Sequence, residues 1–251
     1  MESSSKVMVI TGAARGIGAA TAWLAALEGY AVAINYHRQI EAANALATKI
    51  HQAGGRAIAI RADITQSKDV ARLFTETNRL LGRPTVLVNN AGILEKQMKF
   101  EDMSMDRIAR IFSTNVFAQF CCAQEAIRHM AYSKGGLGGA IINVSSRASV
   151  TGAPGEYLDY AASKAAMDTF TVGLAKELAE EGIRVNAVRP AFIFTHIHAD
   201  GGEPDRVNRL KDSIPLKRGG HPEDVAHAIL WLASEKSSYS TGTFIDVSGG
   251  K

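Results

Sequence analysis

Val7-Met8-Val9-Ile10-Thr11-Gly12-Ala13-Ala14-Arg15-Gly16-Ile17-Gly18 is a short apolar run that leads straight into glycines spaced Gly-x-x-x-Gly-x-Gly. An apolar run bounded by turn residues reads as a strand buried on both faces. A helical pattern containing Trp23, Leu24 and Leu27 follows. Strand, glycine turn and helix form the context that a phosphate-binding fingerprint requires. Gly12 permits the sharp turn, Gly16 leaves room for a pyrophosphate, and Gly18 lets the helix pack closely on the strand. The helix start, at Gly16 and Ile17, offers unpaired N–H groups and a partial positive charge to that anion. The spacing departs from the usual Gly-x-Gly-x-x-Gly. On this stretch alone, an ordinary glycine-rich connection and a methyltransferase-type nucleotide site remain open.

A second strand is expected at Ala31-Val32-Ala33-Ile34-Asn35. Folds that bind NAD usually place an acid on the ribose 2′-hydroxyl about twenty residues past the turn. That position falls on Tyr36, followed by His37 and Arg38, with no carboxylate before Glu41. Arg15 and Arg38, with His37, suit a 2′-phosphate, and no acid is present to repel it. Solvated surface arginines are the plain alternative. The missing acid favours NADP(H), with NAD(H) as the second option.

Tyr160-Ala161-Ala162-Ser163-Lys164 pairs a phenol with a cation at helical spacing, and residues four apart share a helix face. A free tyrosine has a pKa of about 10. A positive charge roughly 4 Å away, at an effective dielectric near 20, is worth about 4 kcal/mol, or about three pKa units. The pair therefore predicts a phenol near 7, fit to move a proton in either direction. Most such helix pairs serve stability alone, so the rest of the chain must decide.

Arg61-Ala62-Asp63-Ile64-Thr65 is expected to end a third strand, and Val86-Leu87-Val88-Asn89-Asn90-Ala91-Gly92 a fourth. Ser113-Thr114-Asn115-Val116 is placed within a helix, and Ile141-Ile142-Asn143-Val144-Ser145-Ser146 on a strand. With the glycine turn and Tyr160/Lys164, these motifs resemble the short-chain dehydrogenase/reductase family over residues 6–250, in the subset without a separate substrate domain. Within it, the chain is similar to bacterial glucose-dehydrogenase-like reductases and to 3-oxoacyl-carrier-protein reductases.

The resemblance implies roles. Tyr160 is the acid/base for the carbonyl oxygen, Lys164 lowers its pKa and holds the nicotinamide ribose, and Ser146 donates to the developing alkoxide. Asn115 opens its helix locally and holds a water that relays protons to Lys164. Asp63, with Ile64, meets adenine; Asn90, with Ala91 and Gly92, meets the cofactor's ribose and backbone. Thr195 meets the nicotinamide carboxamide, with Pro190 and Ile193 alongside. Adjacent strand residues face opposite ways, and the family pattern selects Ser146 over Ser145. One extra loop residue must be absorbed between 147 and 157. Tyr157 has Ala161 at helical spacing, so it reads as a pocket wall or a packing residue. Where the family usually shows Pro-Gly, this chain has Pro190-Ala191, tolerable if φ stays negative.

The 251 residues suit one α/β domain, a doubly wound parallel sheet with helices on both faces. Residues 1–5 are expected to be a loose tail, residues 192–215 a substrate lid, and Tyr132 to Gly139 a flexible connection. Net charge is +3, with 28 basic and 25 acidic residues evenly spread, which excludes the clustered footprint of a nucleic-acid binder. No apolar run approaches the ~20 residues of a membrane span, and Met1-Glu2-Ser3-Ser4-Ser5 is not a signal peptide. Adjacent Cys121 and Cys122 read as helix packing in a reducing, cytoplasmic setting. His196-Ile197-His198, with Asp200 and Glu203, lacks the spacing of a zinc site, and no metal is expected. Small residues beside Tyr160 and the strand near Phe244-Ile245-Asp246-Val247 correspond to the family's two interfaces, which implies a homotetramer with Trp231 and Phe244 in interface or core.

The reading is an NADP(H)-preferring oxidoreductase acting on a small-molecule carbonyl or alcohol. A catalytically idle redox sensor or scaffold is the alternative, and a dehydratase or epimerase on the same fold a third. Ile93, Leu94, Val150, Tyr157, Phe192 and Phe194 are the candidate pocket residues.

Overall fold

The computed structural model describes residues 6–251, and the tail expected at residues 1–5 lies outside the described residues. The first half of the chain runs β1 (Val7–Ile10), α1 (Gly16–Leu27), β2 (Ala31–Tyr36), α2 (Ile40–Gln52), β3 (Arg56–Arg61), α3 (Ser67–Leu81), β4 (Val86–Asn89), α4 (Met105–Phe112) and α5 (Ala118–Met130). The second half runs β5 (Gly139–Val144), α6 (Ala148–Thr151), α7 (Leu158–Glu177), β6 (Ile183–Pro190), α8 (Ile197–Asp200), α9 (Arg206–Leu210), α10 (Pro222–Ala233) and β7 (Phe244–Val247). The strands form one parallel sheet in the order β3-β2-β1-β4-β5-β6-β7.

Strict alternation along each strand sorts the apolar residues into two cores. Met8 and Ile10 face one side with Val32, Ile34, Val86 and Val88, beneath α1, α2 and α10. Val7 and Val9 face the other with Ala33 and Leu87, beneath α3, α5 and α7. Because both faces are covered, β1, β2 and β4 are buried at every position and read as unbroken apolar runs. The chain winds outward from β1 to β3, then crosses to β4 and winds the other way. Such a switch point opens a crevice at the carboxyl ends of the strands.

Two local expectations need correction. Residues 132–139 are a packed corner, not a slack connection. A Cβ on Gly136 would collide with the Met130 carbonyl, and one on Gly139 with the Thr85 carbonyl. β5 ends at Val144, so Ser145 and Ser146 lie just past the strand; the Ser145 N–H still donates to the Val188 carbonyl.

Candidate active site

The glycine turn is fastened from three sides. The Gly12 N–H donates to Asn35 Oδ1 (3.1 Å), while Asn35 Nδ2 donates to the Ala62 carbonyl (3.0 Å). Asn90 Nδ2 donates to the carbonyls of Thr11 (2.8 Å) and Gly12 (3.1 Å). Gly12 and Gly16 take φ of +61° and +56°, where a side chain is strained. A Cβ on Gly18 would sit 2.5 Å from Asn90 Nδ2. Helix α1 then starts with no side-chain cap and no acid in its first turn. Its first N–H groups are left for an outside acceptor. That arrangement fits a pyrophosphate. The anchoring role of Asn35, buried at the end of β2, was not visible in the sequence.

A cleft of about 900 Å³ opens over this turn. Of the catalytic and cofactor residues expected from the sequence, all but Gly18 and Asn115 line it; those two lie behind it. Where the cleft passes the end of β2, Tyr36 is buried while His37 and Arg38 are exposed. Asp63 Oδ1 accepts from the Thr65 N–H (3.0 Å) and hydroxyl (2.8 Å), which fixes the turn that holds Ile64. His37 Nε2 lies 3.8 Å from Asp63 Oδ2. The Arg15 guanidinium, expected to join Arg38 at a 2′-phosphate, holds Asp200 of α8 (2.6 Å). Thr195 stands over Gly16, its Cγ2 3.4 Å from where a Cβ would be. Ala191 keeps a negative φ, since Ala153 and Lys217 are the non-glycine residues with positive φ among the described residues.

Ser146, Tyr160 and Lys164 meet at the carboxyl end of β5. The Ser146 and Tyr160 hydroxyls are hydrogen-bonded. Ser145 is buried and turned away, its hydroxyl donating to the Lys164 carbonyl (3.3 Å). Between Ser146 and Tyr160 the chain turns where α6 ends, through left-handed Gly152 and Ala153 (φ 75° and 44°).

The electrostatics differ from the simple pairing argument. Lys164 Nζ is drawn to the Val144 carbonyl (2.7 Å), 5.6 Å from the centre of the Tyr160 ring. Burial pushes the Tyr160 phenol up to about 12, with the Ser146 hydrogen bond pulling the other way. Burial also brings Lys164 down to about 8, opposed by the charge of Asp168. The expected lowering of the phenol towards 7 is therefore not found: desolvation of the phenolate outweighs a cation that is itself desolvated and turned to a backbone oxygen. Ultraviolet titration of the cofactor-free protein checks this. Wild type minus Tyr160→Phe should show no phenolate below pH about 10, the ordinary tyrosine value; a phenolate appearing near neutrality would contradict it.

Asn115 occupies a π-helical turn, Ser113–Phe117, between α4 and α5, so the helix does open there. Its amide clasps the Ile93 backbone, accepting from N–H (2.8 Å) and donating to C=O (3.0 Å), and also donates to Ser163 Oγ (3.2 Å). Gly92 leaves the space between Asn115 and Lys164 open: a Cβ there would be 3.4 Å from Asn115 Oδ1 and 3.5 Å from Lys164 Nζ. No pattern in the sequence marks Asp159. It accepts from the Tyr160 N–H (2.8 Å) and forms a buried ion pair with Arg107 of α4 (2.7 Å).

Of the residues expected to contact substrate, Ile93, Leu94, Tyr157 and Phe192 line the cleft, whereas Val150 and Phe194 do not. The wall also contains charges that were not foreseen. Arg206 is buried between the rings of Tyr157 (5.3 Å) and Phe192 (5.6 Å) and bonds Glu156 (3.2 Å) and Glu203 (2.6 Å). Tyr157 closes the same wall by donating to the Gly201 carbonyl (3.2 Å). His198 Nε2 contacts the Ile193 carbonyl (3.0 Å). Among the described residues, no group of three or more His, Cys, Asp and Glu side chains is placed to hold a metal.

A family model of these dehydrogenases, described as Enoyl-(Acyl carrier protein) reductase, matches residues 12–251. The chain belongs to the short-chain dehydrogenase/reductase family. It is 54% identical to the uncharacterized oxidoreductase YgfF of Escherichia coli K12 over 98% of this chain and 99% of that one. It is 38% identical to 3beta-hydroxysteroid dehydrogenase 1 of Eggerthella lenta, covering 98% and 93%. The solved 3-ketoacyl-(acyl-carrier-protein) reductase of Brucella melitensis, complexed with NADH, superposes with a TM-score of 0.90 at 32% identity, covering 98% and 97%. As a short-chain dehydrogenase/reductase, the chain is an NAD(P)-dependent oxidoreductase acting on small molecules. No described helix is long and apolar enough to cross a membrane.

Proposed function

We propose that this short-chain dehydrogenase/reductase is an NADP(H)-preferring reductase that converts a ketone or aldehyde to an alcohol, with Tyr160 as acid/base. The observation that carries the reading is the meeting of Ser146, Tyr160 and Lys164 in one cleft with an uncapped glycine turn. A bound nicotinamide supplies the hydride. Tyr160, protonated at neutral pH, gives its proton to the carbonyl oxygen, and Ser146 donates a hydrogen bond to the same oxygen. Lys164 holds the ribose hydroxyls and returns the proton to Tyr160, and a water held by Asn115 relays it. Residues 192–215 act as a lid, held down by Arg206 and Tyr157.

Leu94, Tyr157 and Phe192 favour a substrate with a hydrophobic body, in keeping with relatives named for a hydroxysteroid and for a ketoacyl chain. Small residues along α7 and half-exposed Trp231 support a homotetramer, and free Cys121 and Cys122 suit a reducing cytoplasm.

Tyr36 stands where an NAD enzyme keeps its acid, and Arg15, His37 and Arg38 line the same cleft. Charge-assisted hydrogen bonds contribute roughly 1.5–3 kcal/mol, so NADPH should bind at least about tenfold tighter than NADH in a fluorescence titration. Equal affinities would sink the NADP(H) preference. A sensor or scaffold would bind NADPH equally well, yet turn over no carbonyl compound.

A further inference from the structure

Arg15 stands where the cofactor turn meets the segment that walls the cleft. It precedes α1 in an extended conformation (φ −152°, ψ 169°). Its guanidinium reaches Asp200, the last residue of α8 (Nη2 to Oδ2, 2.6 Å), across 185 residues of sequence. Both side chains are partly exposed, at 42% and 46%. The pair is therefore a reversible tie, not a buried strut. Arg38 forms no ion pair among the described residues, and His37 faces Asp63 at 3.8 Å. Of the two arginines suited to a 2′-phosphate, Arg15 is thus the one held by a carboxylate, that of Asp200 on α8.

A 2′-phosphate has a charge of about −1.5 to −2 at neutral pH and several acceptor oxygens. It competes with the single Asp200 carboxylate for the fork of Arg15. The competition acts on a nucleotide that carries the 2′-phosphate and not on one that lacks it.

We propose that Asp200 is a positioning residue for Arg15 that tempers cofactor choice: it holds the guanidinium against segment 192–215 until a 2′-phosphate takes it. A phosphorylated cofactor then releases this tie, whereas an unphosphorylated one leaves it closed. The inference rests on the reading of Arg15 as a 2′-phosphate contact.

Calorimetric titration of the full chain with 2′,5′-ADP and with 5′-AMP tests it without turnover. An exposed ion pair is worth a factor of about two to five in an equilibrium. Asp200→Asn should tighten 2′,5′-ADP by that factor and leave 5′-AMP unchanged, a difference that a general loosening of the segment would not produce. Asp200→Ser serves as a second variant and should behave alike. Arg15→Ala is the companion measurement. If it weakens 2′,5′-ADP while neither Asp200 variant alters that ligand, or both nucleotides shift together, the coupling is overturned and the reading of Arg15 stands. If Arg15→Ala leaves 2′,5′-ADP unaffected, the reading of Arg15 falls and the coupling falls with it.

Discussion

Tyr160→Phe is expected to lower turnover about 10²–10⁴-fold, the usual contribution of a positioned acid or base, with cofactor affinity close to wild type. The ring remains to pack beside Lys164, whose Nζ is held by the Val144 carbonyl and does not depend on the phenol oxygen. What is lost is the hydroxyl that bonds Ser146 and stays protonated through neutrality, because burial pushes its pKa up to about 12. A group that acts mainly in the transition state lowers kcat and kcat/KM together when removed. Steady-state kinetics alongside cofactor titration reads both quantities. A loss smaller than about tenfold would leave Tyr160 without the role of proton donor.

The second large effect belongs to a residue that touches no substrate. Asp159→Ala should destabilise the fold by about 3–5 kcal/mol, because it strands a buried arginine without its partner. Asp159 and Arg107 lie 2.7 Å apart, with side-chain exposures of 0% and 4%. Arg107 also donates to the Lys96 carbonyl (2.5 Å), and Asp159 caps the Tyr160 N–H (2.8 Å) in the first turn of α7. The pair therefore joins α4 to the start of α7, the helix that carries Tyr160. Urea unfolding measures the cost. The double variant Arg107→Met, Asp159→Leu should recover much of it, since replacing both partners by apolar groups is often neutral. A single-variant cost below about 1 kcal/mol would show that the pair is dispensable, as exposed pairs are.

The parts of this protein that a reader of the chain can foresee are those written in local pattern. β1, the glycine turn and α1 follow one another within twelve residues, Val7 to Gly18, so strand, turn and helix start are legible together. Tyr160 and Lys164 sit four apart on one helix, and that spacing alone brings them together. The remainder depends on contacts between distant segments. Asn35 reaches back 23 residues to the Gly12 N–H, Arg107 forward 52 to Asp159, Arg206 back 50 to Glu156, and Arg15 forward 185 to Asp200. No local period marks any of these.

The phenol shows the same limit in its energetics. Helical spacing puts a cation close to Tyr160, and Coulomb's law then argues for a lowered pKa. The opposite sign arises from burial and from a carbonyl on β5, Val144, that takes up the ammonium of Lys164. Neither can be read from positions 160 and 164. Chain packing also decides between the two serines. Both lie just beyond β5, but Ser145 is turned towards the Lys164 carbonyl while Ser146 faces the phenol.

The central claim is that this cleft reduces a carbonyl by hydride transfer, with Tyr160 supplying the proton. The most direct measurement follows loss of reduced-nicotinamide absorbance with NADPH, and separately with NADH, over ketones, aldehydes, quinones and 3-oxoacyl thioesters, for wild type and Tyr160→Phe side by side. The account predicts turnover of at least one hydrophobic carbonyl, faster with NADPH and lowered about 10²–10⁴-fold in the variant. Binding of NADPH with no turnover of any carbonyl in the panel, or turnover reduced less than about tenfold in Tyr160→Phe, would contradict it.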